Sequence, residues 1–261
     1  LYIFWSSSHA AAVAAGAVWG RYAARGLFEK VVYSTAGLQV APRTSEFMLP
    51  AWRPVQRRMD RLTSRLGLKP EDAPVTALYE LENAAENPDG LNAHSVGADL
   101  GPESVVALGE GWLKESSGAM TVALAHELGH LSAGDNFFHE VWSRLQNVAA
   151  GSLAAFSGAG FSWLAATGTW AVLPPLFLGA SLLGASALFA QAYRRRMELR
   201  ADLFAIRVTS LSWFEEFMRV VARVEPWRSD GLIGWFERLT SPYPTTEVRL
   251  AHGQRAARVI E

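Results

Sequence analysis

Three residues set the chemical question: His126, Glu127 and His130, in the run Ala125-His126-Glu127-Leu128-Gly129-His130. On an α-helix, His126 and His130 lie one turn apart and face the same way, so two imidazoles can meet one Zn2+ ion. Glu127 sits beside them without taking a coordination position, placed to act as general base on a zinc-activated water. The apolar run Met120–Leu124 just before the motif predicts a helix that can be buried. A longer pattern with a third histidine six residues on fails, because those positions hold Ala133 and Asn136. A catalytic zinc site usually has three protein ligands and one open position. Glu198, in Met197-Glu198-Leu199-Arg200-Ala201-Asp202, is the better third ligand. Asp202, one turn further on, could hold a ligating imidazole by its free N–H. The competing reading of these two acids is charge balance for Arg194–Arg196 and Arg200 on a helix surface.

These residues need elements to position them, and the charge distribution suggests which. Of 261 residues, 50% are hydrophobic and 19% charged, with net charge −1. That balance gives no basic face for nucleic acid, so no nucleic-acid partner is expected. The chain has no cysteine, which excludes disulfides, thiolate metal sites and thiol nucleophiles. Residues 1–20 and 145–193 carry no charge at all. The first stretch reads as a transmembrane helix, with a signal peptide as its rival. The second reads as a transmembrane helical hairpin turning near Pro174-Pro175, with a buried hairpin in a soluble core as its rival. Arg21, Arg25, Lys30, Arg144 and Arg194–Arg196 flank these spans. They place both polar segments on the cytoplasmic side of an integral membrane protein. A hairpin that crosses and recrosses would return Glu198 close to where the active-site helix left.

Between the spans, Thr44–Leu66 reads as an amphipathic helix broken near Pro50 and Pro54. Its arginine face, Arg53, Arg57, Arg58, Arg61 and Arg65, suits either anionic headgroups or water. Three short strands are expected at Val75–Leu81, Leu91–Gly97 and Ser104–Leu108, separated by turn residues such as Asn87-Pro88-Asp89-Gly90. A helix should begin near Ser117. If Leu91–Gly97 is an exposed edge, it could pair with an extended substrate backbone.

Taken together, His126-Glu127-Leu128-Gly129-His130, Glu198-Leu199-Arg200-Ala201-Asp202 and the apolar hairpin between them resemble the HtpX-like membrane zinc metalloproteases, relatives of the CAAX prenyl proteases. Asn92-Ala93-His94-Ser95-Val96-Gly97 resembles that family's strand beside the cleft. Ser241 to Leu250 resembles its late Pro-containing, Arg-ending motif. The resemblance implies zinc held by His126, His130 and Glu198, Glu127 as general base, and Asp202 behind the ligands. Asn92, Tyr243 and Arg249 would line or support the cleft. Tyr243-Pro244 stands where the family usually has His-Pro. A tyrosine hydroxyl there could donate to an oxyanion, or Tyr243 is simply a turn residue. Arg249 could anchor the C-terminal segment by an ion pair.

The expected fold is therefore an α+β membrane protein. It has a mainly helical zincin-like protease domain with a small β-sheet, a transmembrane helix and a transmembrane helical hairpin. The expected divisions are a span at 1–20, a helical juxtamembrane segment at 21–74, the first part of the protease domain at 75–144, the hairpin at 145–193 and the second part at 194–261. The implied activity is zinc-dependent endoproteolysis of membrane or misfolded proteins in a bacterial inner membrane. The alternatives are a processing protease for lipid-modified substrates and a non-catalytic zinc-stabilised subunit. Expected partners are a polypeptide substrate and membrane lipid, with a homo-oligomer or a membrane-protein complex both open.

Overall fold

The structure is a computed structural model that describes residues 38–40, 53–79, 91–97, 99–102, 104–168, 170, 173–224 and 241–260. Its strands are β1 (Leu38–Val40), β2 (Val75–Tyr79), β3 (Ala93–Val96) and β4 (Val105–Gly109). Its α-helices are α1 (Arg53–Arg65), α2 (Ser117–Ala133), α3 (Asp135–Thr167), α4 (Leu173–Val208), α5 (Leu211–Val224) and α6 (Thr246–Ile260). The chain divides into two compact units, one comprising 34–138 with 191–261 and the other comprising 1–33 with 139–190.

In the first unit the strands form one sheet in the order β1-β2-β4-β3. β2 and β4 run parallel, from Val75 opposite Val105 to Tyr79 opposite Gly109. β3 runs antiparallel to β4 along the edge, with Ala93 opposite Leu108 and Val96 opposite Val105. β1 closes the other side antiparallel to β2. These strands follow the Val/Thr/Ala/Leu runs that favour a pleated, half-buried surface. The amphipathic reading of Thr44–Leu66 resolves into α1, which buries Val55, Met59 and Leu62 at one-turn spacing. Residues 44–52 lie outside the described residues.

α2 is the centre of this unit. Ser116 caps its start, its hydroxyl accepting from the Ala119 N–H at 3.1 Å. Gly134 ends it in the left-handed conformation at φ 66, a geometry that favours glycine. From Gly118 to Gly129 every residue is buried, so the helix is covered on all sides rather than on one stripe. It is packed among Val106 and Leu108 of β4 and Phe214, Phe217 and Met218 of α5.

In the second unit α3 and α4 lie antiparallel. Trp142 meets Phe189, Gln146 reaches Ser186 at 3.4 Å, and Leu153 lies against Gly179. The segment 145–193 thus folds as a helical pair, but the transmembrane expectation is overturned. No helix among the described residues is long and apolar enough to cross a membrane. The physical reason is that an uncharged stretch is not the same as a hydrocarbon one. Gln146, Asn147, Ser152, Ser157, Ser181, Ser186 and Gln191 interrupt it, together with many glycines and alanines. The integral-membrane location and the cytoplasm-facing orientation rested on those spans and are corrected with them. The proposed span at 1–20 lies outside the described residues.

Candidate active site

Two helices deliver the site. α2 presents His126 and His130 one turn apart, and α4 presents Glu198 and Asp202 one turn apart. The helices approach closely because Gly129 has no side chain: a Cβ there would lie 2.9 Å from the Ala201 Cα.

The metal-facing atoms converge. His126 Nε2 and His130 Nε2 are 3.2 Å apart. Glu198 Oε2 is 3.3 Å from the first and Oε1 is 3.5 Å from the second. The two rings stand nearly perpendicular, at 87°. His126 and Glu127 are buried, and His130 and Glu198 nearly so.

Behind each imidazole stands a carboxylate. His126 Nδ1 is 2.9 Å from Asp202 Oδ1. That contact is short but poorly aligned, leaving the buried Nδ1 without a well-formed hydrogen bond. His130 Nδ1 is 2.9 Å from Asp135 Oδ2 and hydrogen-bonds to it. Asp202 is itself fully buried and gripped by Arg249, which donates from Nε at 2.8 Å and from Nη2 at 2.6 Å. Phe217 lies beside both the His126 ring and the Arg249 guanidinium.

The electrostatics follow from this crowding. Burial alone would raise the Glu198 carboxyl, but hydrogen bonds to both histidines and the Arg249 charge hold it well below the usual range. Burial likewise opposes the Asp202 charge, and Arg249 with His126 overrides it, so Asp202 is also lowered. Burial would lower His130, yet Asp135, Glu198 and the Glu127 charge push it up to about 10. His126 is raised in the same way, with Asp202 and Glu198 prevailing over burial.

The donor set fits a divalent metal, and zinc in particular. Ligands about 2.0–2.1 Å from a tetrahedral zinc lie roughly 3.3 Å from one another, close to the observed spacings. Both Nδ1 atoms face carboxylates, which frees both Nε2 lone pairs for an ion. Among the described residues, His126, His130 and Glu198 form the group able to hold one.

The sequence-predicted residues are not equally placed. His126, His130, Glu198, Asp202 and Arg249 come together. Glu127 shares their surroundings, its charge acting on His130 and Arg249. Tyr243 is more than half exposed, in a turn where its N–H donates to Ser241 Oγ at 3.2 Å. Partial burial and the charges of Glu198 and Glu127 raise its phenol. The Asn92 carbonyl accepts from the Gly109 N–H and from Trp112 Nε1, fixing the start of β3. Sequence reasoning missed Asp135, and Arg200 as its partner. The signal available was Gly134, a helix-stopping residue four positions after His130 that turns the next side chain back toward it.

Two imidazoles and a carboxylate on a buried helix pair, in the unit that carries the small sheet, make a site suited to a metallopeptidase. The sequence profile of peptidase family M48 matches residues 52–256, and the chain belongs to that family. M48 peptidases include HtpX-like and CAAX protease relatives and are generally zinc-dependent. No curated protein matches the chain.

Proposed function

We propose that this chain is a zinc-dependent endopeptidase in which His126, His130 and Glu198 hold the metal and Glu127 is the general base. The observation that carries this reading is the meeting of three ligand atoms, with the two Nε2 atoms 3.2 Å apart. A zinc ion bound there would supply Lewis-acid polarisation of the scissile carbonyl and make a water acidic near neutral pH. Glu127 takes the proton of the attacking water and returns it to the leaving amine, so that no charged amide nitrogen must depart. The Tyr243 hydroxyl donates to the oxygen on which charge develops. Asp202 and Arg249 hold the His126 side of the centre in place.

Among the described residues β3 is the last strand of the sheet, its Ser95 carbonyl accepting from Asn136 Nδ2 at 3.0 Å, and an extended polypeptide that displaces this amide can pair with its outer side. Such pairing reads main chain more than side chain, so the substrates are unfolded or extended segments of protein.

The test is cleavage of casein by the purified, zinc-loaded chain, with and without chelator, beside Glu127→Gln. The expected result is chelator-sensitive cleavage that Glu127→Gln loses by about 10²-fold or more while still binding zinc. Undiminished cleavage by a zinc-loaded Glu127→Gln protein would remove Glu127 from the reaction.

A further inference from the structure

Asp135 is only 2% exposed, although it is the first residue of a helix. Gly134, in the left-handed conformation, reverses the chain at the end of α2 and swings Asp135 back against that helix. Its Oδ2 takes the His130 Nδ1 contact at 2.9 Å, and its Oδ1 accepts from Arg200 Nη2. The opposite side of the centre has the same order of residues, His126, then Asp202, then Arg249, with the less well-aligned imidazole contact. An acid in the first turn of α3 would favour the helix dipole wherever it pointed. That role explains neither its burial nor its aim at a ligand ring.

We propose that Asp135, held by Arg200, is a positioning residue for His130, so that the metal centre is braced by two His–Asp–Arg chains. The inference rests on the metal-centre reading above. By accepting the Nδ1 proton, Asp135 keeps that proton off Nε2 and fixes the plane in which the Nε2 lone pair points. The two braces differ in exposure as well. Arg249 is buried at 7% side-chain exposure, whereas Arg200 is half exposed at 50%. The His130 brace is therefore the one open to water. α4 contributes to both, through Asp202 on one side and Arg200 on the other.

The experiment measures zinc affinity by competition with a chromophoric chelator, and the melting temperature of the metal-free protein, for the full chain and its variants. Asp135→Ala is expected to weaken zinc binding about 10- to 100-fold, the usual effect of losing such a partner. Asp135→Asn retains an oxygen that accepts from Nδ1, so it should recover most of that loss at the same metal-free melting temperature. Arg200→Gln, at a half-exposed position that does not threaten folding, should weaken zinc binding about threefold or more. Wild-type affinity in Asp135→Ala overturns the proposal, or in Arg200→Gln if the alanine variant does not fold. So does a loss shared equally by Ala and Asn in step with a lower metal-free melting temperature, which would make Asp135 only a helix-end residue. Failure of the unaltered chain to bind zinc one-to-one would instead sink the metal-centre reading itself.

Discussion

Arg249 grips Asp202 with two nitrogens, at 2.8 and 2.6 Å, and both side chains are out of water. The pair joins α6 to α4 across 47 residues of sequence, directly behind a metal-facing histidine. Such a fork is strong where the planar guanidinium meets a carboxylate squarely. Removing one member strands the other charge in a site that cannot hydrate it. Arg249→Met is therefore expected to cost about 3–5 kcal/mol in urea unfolding. A cost under about 1 kcal/mol would show that Asp202 finds another partner or takes up a proton.

Zinc binding should compete with protons. In the metal-free protein both imidazoles are raised, and His130 reaches about 10, so near neutral pH the ion must displace the His130 proton. Each displaced proton makes affinity rise about tenfold per pH unit. Chelator competition at pH 6, 7 and 8 should give at least that slope. A flat profile would contradict the protonated metal-free state.

The same groups set the stability of the metal-free protein. His130 moves from an ordinary 6.5 to about 10 on folding. Its contribution is complete below about pH 6.5 and is lost as pH climbs toward 10. Glu198 and Asp202 are lowered on folding, so their contributions are present above the ordinary carboxylate range and are lost as acid protonates them. Melting temperature should therefore pass through a maximum on the acid side of neutrality, between the ordinary carboxylate and imidazole ranges at about pH 4.5–6.5, and decline on both sides. A metal-free melting temperature that rises steadily from pH 7 to 10 would be inconsistent with these shifts.

Tyr243→Phe removes only a hydroxyl from an exposed position. If that hydroxyl donates to the developing oxyanion, kcat should fall about 10²-fold, with zinc affinity and melting temperature unchanged. An unchanged kcat would reduce Tyr243 to the turn it occupies.

Much of the site was legible because helical spacing is a local property. His126 and His130, or Glu198 and Asp202, declare a shared face by being four apart. β2 and β3 lie within the stretches expected for them, and β4 runs one residue past its own, to Gly109. β1 has three residues and no run long enough to announce it; the antiparallel edge of β2 makes it a strand. Residues 145–193 depart from the transmembrane expectation because absence of charge is not affinity for lipid: serines, glutamines and glycines dilute the stretch. Asp135 was overlooked for a different reason. Its role depends on one backbone torsion at Gly134, and a reversal of direction leaves no periodic trace.

Gly129 sits in one of the two positions that the pattern His-Glu-x-x-His leaves unspecified. Here that position is not free, since a Cβ would meet the Ala201 Cα at 2.9 Å and its carbonyl oxygen at 3.2 Å. Backbone cannot rotate aside as a side chain can, so Gly129→Ala should wedge α2 from α4 at about 1–3 kcal/mol. It should also draw Glu198 away from the two imidazoles. Randomising Leu128 and Gly129 together and selecting for zinc retention should return variety at 128 and almost none at 129. The blank in the motif acts as the gauge that sets the distance between the two halves of the metal centre.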